Sequence, residues 1–564
     1  MKNFHAEGSF SNNNGINAVL TIPYIVYQGS TISGLKITAN TSSNGLAIAG
    51  NIDHIKNGTF YEVYNTRLNA DILNNNINFN LGIDDNKAKN KYLIAGLVSQ
   101  PSSGTYTIKL KPDSLLLNYQ KWTVSSDNLV TILPDNITAN NFVLQNGDQR
   151  LSINSPADRG QQALEIGFSN FRLATITGFL KADSLLADGL INGNVDLNDF
   201  LQQPNIKGDI TIDHLSIQKD TIGNVAIHAS TSGVEKYNAE VTITGNGNDV
   251  ALTGSLATAG NDMNLNLDLN VKSLQLHSLE GLMAGAIKNS SGSVNGHVSI
   301  GGSLNKPAIN GNLNFNKSSF AVSLLGSQFN VDGQTLSVTN DGLAFNNFTV
   351  KDSSGKALTL NGNVLTSNFI NYEFNLKLTA RNFQLLNSTK KDNPVYYGRM
   401  TINADLSITG TEVKPVVDGR ITVDDGTALT FVVPQSEEGI ESRQGIVEFV
   451  NMRNPASDTL FRQYDSLNKA TVVGMDISLN IEVKKEAIFN IVIDEANGDF
   501  LNAQGEAQLT AGIDPSGKIT LTGNYTLEKG SYQITFNFLQ RKFEIRKGSV
   551  IIWTGEPTTA QLDV

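Results

Sequence analysis

The fold of this chain is stated most plainly by the stretch Met263-Asn-Leu-Asn-Leu-Asp-Leu-Asn-Val271. Apolar and polar residues alternate here with a period of two, which is the period of side chains along a β-strand. Leu265, Leu267, Leu269 and Val271 therefore share one face of the strand, and the polar residues between them share the other. A sheet of such strands has one apolar face and one water-facing face, because strands buried on both faces have continuous apolar runs.

The same alternation recurs along most of the chain, so the sequence predicts an all-β fold with one or two short helices. A helix is predicted after Ser278, on the helical spacing of Leu279, Leu282, Met283, Ala286 and Ile287. Dipeptides typical of hairpin turns separate the strands, namely Asn44-Gly45, Asn57-Gly58, Asp332-Gly333, Asn361-Gly362 and Asp425-Gly426. Further apolar positions of the same kind are Phe374, Leu376, Leu378, Leu479, Ile481, Phe536 and Phe538.

A longer cassette occurs three times, near residues 189–212, 292–315 and 398–423. Each copy has a strand that follows a glycine, a short linker, and a second strand that begins Pro-x-x-x-Gly. The prolines are Pro204, Pro307 and Pro415, which recur at nearly equal intervals. Internal repetition favours a stacked architecture whose function lies on a shared surface and not in a single pocket.

Composition excludes several partners. The net charge of −11 argues against binding of nucleic acid or of an anionic membrane surface, since both favour clustered Lys and Arg. Cys is absent, so no disulfide or thiolate chemistry is available. No signal peptide is visible, and no apolar run approaches the ~20 residues that span a bilayer. Both ends have the pattern of a cut within a longer chain, so an N-terminal part is expected to be missing.

No catalytic or metal-binding constellation is visible, and we expect neither an enzyme nor a cofactor. The six histidines are dispersed, without ligand spacing. Asp84-Asp85 and Asp424-Asp425 lie beside turn residues, where solvated loop charge is the simplest interpretation. The segment from Gly245 to Asp249 resembles one copy of a calcium-binding repeat, but a hairpin turn explains it better.

Something must cover the apolar face of the sheet. A second sheet would give a β-sandwich or a solenoid filled by its own side chains. A single sheet folded into a trough would instead leave its inner surface available to a hydrophobic cargo. Periodicity alone does not separate these alternatives.

The end of the chain resembles the closing segment of the TamB family. It reads Gly530-Ser-Tyr-Gln-Ile-Thr-Phe-Asn-Phe538, then Arg541-Lys-Phe-Glu-Ile-Arg-Lys-Gly-Ser-Val-Ile-Ile-Trp-Thr-Gly-Glu-Pro557 and Ala560-Gln-Leu-Asp-Val564. The cassettes resemble the internal repeats of that family, in which a Gly-x-Leu-x-x-Pro step such as Gly302-Ser-Leu-Asn-Lys-Pro307 introduces a strand. The likeness is clearest from about residue 165 to the end, which corresponds to the C-terminal portion of the family.

The resemblance implies an elongated, repetitive β-sheet folded into a taco-like hydrophobic groove. It implies a protein of the periplasm of a diderm bacterium, anchored in the inner membrane by the missing N-terminal part. The implied cargo is phospholipid, carried from the inner to the outer membrane, and the implied partner is an outer-membrane barrel protein of the TamA/BamA type. One alternative is an assembly factor that templates strands of outer-membrane proteins, and a third interpretation is a secreted β-helix adhesin.

On this basis the chain is predicted to have four regions. Residues 1–164 form a β-rich repeat region of the same groove, and residues 165–433 form the groove with the three cassettes. Residues 434–470 are an irregular insertion loop, and residues 471–564 are the C-terminal β segment. The candidate lipid-groove residues are Leu265, Leu267, Leu269, Val271, Phe374, Leu376, Leu378, Leu479, Ile481, Phe536 and Phe538.

Overall fold

Most of the chain lies in β-strands. The computed structural model describes residues 4–11, 15–27, 30–42, 45–57, 61–158, 162–180, 186–201, 203–260, 262–283, 285–366, 371–432, 474–495, 498–536 and 539–563. These ranges contain 37 strands and one α-helix, α1 (Ala174–Leu180). The predicted all-β class is confirmed, whereas the predicted insertion loop 434–470 lies outside the described residues.

The chain divides into two units, each described here by itself. Unit 1 comprises Met1–Ala284 and Asn295–Ala308, and unit 2 comprises Gly285–Val294 and Ile309–Val564. The strands of unit 1 are β1 (His5–Ser11), β2 (Gly15–Tyr27), β3 (Ser30–Ser42), β4 (Gly45–Asn57), β5 (Tyr61–Leu73), β6 (Asn76–Asp84), β7 (Asn90–Ser102), β8 (Thr105–Leu117), β9 (Gln120–Val124), β10 (Leu129–Leu133), β11 (Asn136–Asn140), β12 (Phe142–Asn146), β13 (Gln149–Asn154), β14 (Ala163–Arg172), β15 (Ala187–Asn198), β16 (Asn205–Ile217), β17 (Asp220–Gly233), β18 (Lys236–Gly245), β19 (Asn248–Ala259) and β20 (Asp262–Gln275).

Two strands, β21 (Ile287–Ser303) and β22 (Lys306–Val322), contribute residues to both units. The remaining strands belong to unit 2. They are β23 (Ser327–Asn330), β24 (Thr335–Thr339), β25 (Gly342–Lys351), β26 (Ala357–Leu365), β27 (Glu373–Ser388), β28 (Tyr396–Thr411), β29 (Lys414–Val423), β30 (Ala428–Val432), β31 (Asp476–Val483), β32 (Ile488–Asp494), β33 (Asp499–Ile513), β34 (Ile519–Phe536), β35 (Leu539–Glu544), β36 (Val550–Gly555) and β37 (Gln561–Asp563).

Many of the long strands are interrupted by a β-bulge that divides them into two arms. In β27 the pairing with β28 runs as far as Ala380 opposite Ala404 and resumes at Phe383 opposite Ile402, so two residues of β27 face Asn403 alone. A two-against-one bulge bends its strand and increases the local twist. We call the part of β27 from Glu373 to Ala380 its long arm and the part from Phe383 to Ser388 its short arm. The arms of a neighbouring strand take the name of the arm with which they pair. The line of bulges across neighbouring strands is called the crease.

Among the strand pairs for which the register is described, four bulges share this geometry, with one residue of each pair at a φ of 45° to 55°. In every case an asparagine of the next strand lies opposite the bulge. The bulged pairs are Ser169 and Asn170 in β14, Asp213 and His214 in β16, Asn346 and Asn347 in β25, and Arg381 and Asn382 in β27. The asparagines opposite them are Asn192, Asn224, Asn361 and Asn403.

The two arms separate completely at several places, where one long strand pairs with two shorter ones on the same side. In unit 1, β8 pairs with β9 along one arm and with β10 along the other. In unit 2, β22 pairs with β23 and β24, β28 with β29 and β30, and β34 with β35 and β36. Two parallel pairs, β29 with β31 and β30 with β32, interrupt an otherwise antiparallel series of described neighbours in unit 2.

The three largest of the fully buried side chains, Trp122, Phe383 and Leu527, lie on the apolar side of the crease. In unit 1, Trp122 packs against Phe171 with ring centroids 5.5 Å apart. In unit 2, Phe383 stacks on Phe329 at the same centroid separation. A further cluster around Leu527 surrounds the crease near the end of the chain. Because the apolar side is the buried side at each of these places, the sheet is bent toward its apolar face.

The helix prediction was wrong in position. Residues Leu276–Leu279 form a short 3-10 helix, and Ile287 already begins β21. Gly285 has a φ of +81°, which a continuing right-handed helix excludes. The observed helix α1 has the sequence Ala-Thr-Ile-Thr-Gly-Phe-Leu, whose β-branched residues and glycine disfavour a helix.

Tertiary hydrogen bonds stabilise α1 instead. Lys91 Nζ donates to Gly178 O at 2.7 Å, Tyr92 OH to Thr175 O at 3.0 Å, and Asn118 Nδ2 to Ala174 O at 3.0 Å. These donors come from β7 and from the turn after β8, several strands before the helix in the chain. A local pattern in the sequence therefore could not predict this helix.

One predicted turn was also wrong. Asn361-Gly362 lies inside β26, opposite the bulge of β25, and not between two strands. Asp332-Gly333 and Asp425-Gly426 do form turns, and Asn246-Gly247 connects β18 to β19 as predicted. Of the other two dipeptides, Asn44 and Gly58 lie outside the described residues.

Candidate functional groove

Apolar side chains of neighbouring strands in unit 1 are aligned in continuous rows across the sheet. The row nearest the crease joins strands β15 to β20. Its members are Ile191, Ile212, Val225, Ile243, Val250 and Val271. The next row contains the predicted Leu269. It consists of Gly193, Ile210, Ile227, Val241, Leu252 and Leu269.

In β20, burial on the apolar face decreases with distance from the crease. In β20, Val271 is only 5% exposed, whereas Leu265, Leu267 and Leu269 are half-buried and the asparagines between them are exposed. A sheet covered by a second sheet would bury its whole apolar face, as at the crease. The long arms of unit 1 therefore present an apolar surface that is partly open.

The same gradient occurs in unit 2. Ala380 and Phe383, on either side of the bulge in β27, are each 1% exposed. Phe374, Leu376 and Leu378, further along the long arm, are half-buried. In β31 the change runs from half-buried Leu479 and Ile481 to Val483, which is buried.

Predicted residues from distant parts of the sequence meet in one row of unit 2. Leu378 pairs with Leu406, which pairs with Gly419, and Gly419 pairs with Leu479. The full row is Phe348, Leu360, Leu378, Leu406, Gly419, Leu479, Ala511 and Leu521. Leu265, Leu267, Leu269 and Val271 belong to unit 1. Phe536 is the last residue of β34, and Phe538 lies outside the described residues.

Several members of these rows were not predicted. Ile210, Leu252, Leu406 and Leu521 have the same half-buried position as the predicted leucines. Their strands show the same period-two alternation, which identifies the apolar face. The neighbours in a row depend on strand register, which the alternation does not give.

The crease residues were missed as well, although the sequence carries a signal for them. The signal is an interruption of the period-two alternation, in which two polar residues instead of one separate two apolar residues. Examples are Phe168-Ser-Asn-Phe171 and Ala380-Arg-Asn-Phe383. At both of these interruptions the strand has a β-bulge, and the bulge places the two flanking apolar residues on the same face of the sheet.

The interpretation of Asp84-Asp85 as solvated loop charge was wrong. Asp84 and Asp85 are only 4% and 8% exposed. Arg67 donates two hydrogen bonds to Asp84, of which the one from Nη2 to Oδ1 measures 2.9 Å. Tyr119 OH donates to Asp85 Oδ2 at 2.7 Å, and this hydrogen bond lowers the pKa of Asp85. These carboxylates are held by tertiary partners that lie elsewhere in the sequence.

The second pair, Asp424-Asp425, is divided between two environments. Asp425 is exposed, as predicted, whereas Asp424 is half-buried and accepts a hydrogen bond from Asn403. Burial raises the pKa of Asp424, and the Asn403 bond opposes that shift. His214 and His228 are exposed, and His228 Nδ1 lies 2.6 Å from Asp209 Oδ1.

Within the described ranges no three His, Asp or Glu side chains are grouped so that they could hold a metal ion. No helix in the same ranges is both long enough and apolar enough to cross a membrane.

Comparison with known proteins identifies the family. No curated protein and no solved structure matches the chain. Two family models do match. The model of the TamB N-terminal domain matches residues 3–315, and the model of the TamB C-terminal domain matches residues 346–564. The likeness predicted from residue 165 onward thus extends back to residue 3. The two matches together cover most of the bent, one-sidedly apolar sheet described above, and this chain belongs to the TamB family.

Proposed function

We propose that the apolar rows shield the acyl chains of phospholipids on their way from the inner to the outer membrane of a diderm bacterium. The observation that carries this proposal is the burial gradient from the crease to the half-buried leucines of the long arms. The chain would act in the periplasm, without a cofactor and without catalysing a reaction. Phospholipid would be its cargo.

The cost of exposing acyl chains explains why such a surface would be needed. Each methylene in water costs about 0.8 kcal/mol, so a two-chain lipid costs roughly 20 kcal/mol. A protein that moves lipid between membranes must therefore offer an apolar path without polar gaps. Within each unit the rows meet this requirement, because apolar residues or glycines occupy successive strands.

Family membership supports the wider setting. TamB proteins are associated with the bacterial envelope and are linked to outer-membrane assembly. We propose a barrel protein of the TamA/BamA type as the partner at the outer membrane. We also propose an inner-membrane anchor in an N-terminal part of the full protein.

The proposal is tested by native mass spectrometry with lipid extraction on the chain purified from a diderm host. Leu267→Arg in unit 1 and Leu479→Arg in unit 2 each put a charge on the apolar face of a long arm. Asn266→Arg and Asn480→Arg are matched controls, because these neighbours are exposed on the polar face. We expect phospholipid with the parent chain and both controls, and less with the two leucine variants.

Absence of lipid from the folded parent chain would contradict the proposal. Equal lipid in all five proteins would contradict the assignment of the rows as the binding surface. Circular dichroism on each variant separates loss of lipid from loss of the fold.

A second candidate function is templating of outer-membrane β-strands, and the edge strand β35 favours it. Among the described strands, β35 pairs with β34 alone. Residues 540–544 of β35 are all exposed, including Phe543. An unpaired strand edge can add a further strand from another chain through main-chain hydrogen bonds.

Photo-crosslinking from position Lys542 of β35 distinguishes the two functions. Templating predicts crosslinks to polypeptide at Lys542 and no lipid at position 267. Lipid shielding predicts lipid crosslinks from position 267 and none that depend on nascent outer-membrane protein at Lys542.

A further inference from the structure

Two cassette asparagines, Asn192 and Asn403, each connect three neighbouring strands at the crease. Asn192 lies on β15, between β14 and β16, and Asn403 lies on β28, between β27 and β29. Each one faces the two-residue bulge of the preceding strand. The cassette, which the sequence shows only as a repeat, thus coincides with the bend of the sheet.

The side-chain amide group of each asparagine both accepts and donates a hydrogen bond. Asn192 Oδ1 accepts the backbone N–H of Asn170 at 2.7 Å, and Asn192 Nδ2 donates to Asp213 Oδ2 at 3.3 Å. Asn403 Oδ1 accepts the backbone N–H of Asn382 at 2.8 Å, and its Nδ2 donates to Asp424 Oδ2. We call this arrangement the asparagine clamp.

The clamp has the same spacing in both cassettes. The interval from Asn192 to Asp213 equals the interval from Asn403 to Asp424. In the second cassette, Asn295 and Asn316 are separated by the same interval. The agreement indicates that the clamp is part of what the cassette repeats.

The clamp satisfies a group that the bulge leaves without a ladder partner. Asn170 and Asn382 have φ values of 45° and 49°, in the left-handed region that non-glycine residues rarely adopt. At such a bulge the extra N–H cannot join the regular ladder. The asparagine oxygen supplies the partner and thereby favours the bent backbone over a straight strand.

We propose that Asn192 and Asn403 are positioning residues, which fix the angle between the arms and so set the width of the lipid groove. This inference rests on the lipid-shielding function proposed above. The clamps lie on the polar face, so they would act on the cargo through the backbone. Ala380 and Phe383, which flank the clamped bulge, are held on the apolar side.

The test uses Asn403→Ala, the exchange variant Asn403→Asp/Asp424→Asn, and the control Asn375→Ala. In the exchange variant the new carboxylate at position 403 accepts the Asn382 N–H, and the new amide at position 424 donates to that carboxylate, so both clamp bonds can form again. Asn375 is exposed on the long arm of β27 and has no side-chain hydrogen bond to any described residue. The chain has no cysteine, so spin labels at Lys377→Cys and Asn387→Cys report on the two arms of β27 alone.

We expect Asn403→Ala to broaden the distance distribution between the labels and to speed hydrogen exchange at Asn382 by about tenfold. We also expect it to retain less phospholipid. The exchange variant should restore all three measurements, and Asn375→Ala should change none.

An unchanged distance distribution in Asn403→Ala would contradict the proposal that the asparagine clamp fixes the angle between the arms. A broadened distribution with normal lipid retention would overturn its role in positioning the groove. If the parent chain itself carries no lipid, the proposed function fails and this role fails with it. The label distances would still decide whether the asparagine fixes the bend.

Discussion

At the scale of single residues, one aspartate arrangement recurs at turns between strands. Asp85 Oδ1 accepts the backbone N–H groups of Lys87 and Lys89, both at 2.9 Å. Asp352 and Asp514 accept the N–H groups two and four residues later in the same way. Aspartates are favoured in turns for this reason, since a short carboxylate can replace a backbone acceptor. Asp85 and Asp352 are also buried, and Asp85 accepts an additional hydrogen bond from the hydroxyl group of Tyr119.

The stability contributed by Asp85 should therefore depend on pH. Its pKa in the folded chain lies below the ordinary value, first because of the Tyr119 hydrogen bond. The carboxylate then stabilises the fold fully above the unfolded pKa of about 3.9, and this contribution declines as pH falls through the folded pKa. We expect Asp85→Asn to lower the free energy of unfolding at pH 7 and to have a smaller effect below pH ~4. Urea denaturation of both proteins across pH tests this, and a difference that does not shrink on acidification would contradict it.

At the scale of elements, the bulged strand is the unit from which the bend is made. Gly362 of β26 illustrates how closely the backbones approach at a bulge. It has a φ of +114°, and a Cβ at this position would lie 2.1 Å from Asn375 O of the neighbouring strand. A side chain here would need the two strands to separate, so the glycine is required by the sheet and not by a turn.

Gly362→Ala should consequently cost more stability than an equivalent change in a turn. Gly355 is the matched control, because it also has a positive φ (+78°) but its added Cβ would meet no atom within 4 Å. We expect about 1–2 kcal/mol for Gly355→Ala from the left-handed backbone alone. For Gly362→Ala we expect a further loss of about 1–3 kcal/mol from the forced movement of backbone. Thermal or urea unfolding measures the loss of stability in both variants. Equal losses for Gly355→Ala and Gly362→Ala would show that the close approach of Gly362 to Asn375 O is not maintained in solution.

At the scale of the whole molecule, stability is distributed among separate cores. The cluster around Trp122 and Phe171 belongs to unit 1, and the cluster around Phe383 and Phe329 belongs to unit 2. The two clusters have no residue in common. In repetitive folds, stability is approximately a sum of local terms and of terms between nearest neighbours.

A large cavity in one core should therefore have a local effect. Phe383→Ala should cost about 3–5 kcal/mol within its own cluster. Hydrogen exchange should become faster in β25 to β28, while exchange in β12 to β15 of unit 1 remains unchanged. Uniformly faster exchange in both units would indicate that the chain unfolds as one cooperative body. Leu324→Ala is the control, because Leu324 is exposed and should change neither region.

The all-β class, the apolar face of each strand and the family likeness could all be predicted from the amino-acid sequence. Alternation in Met263–Val271 assigns every side chain of that stretch to a face, because the period of a strand is fixed by its backbone geometry. The cassettes identified repeated hairpins in the same way, since β15 with β16 and β28 with β29 are antiparallel neighbours.

Which residues pair across strands, and where the sheet bends, depends on tertiary contacts that the sequence pattern does not reveal. Leu378 and Leu479 share a row because β27 to β31 pair in one particular register, which is set by contacts between residues far apart in the sequence. Helix α1 has a sequence with low helix propensity, and hydrogen bonds from Lys91 and Tyr92 stabilise it. The face to which a side chain points follows from the local geometry of its own strand. Strand register, burial and the position of the crease depend instead on packing between strands, because the sequence of one strand does not specify its neighbours.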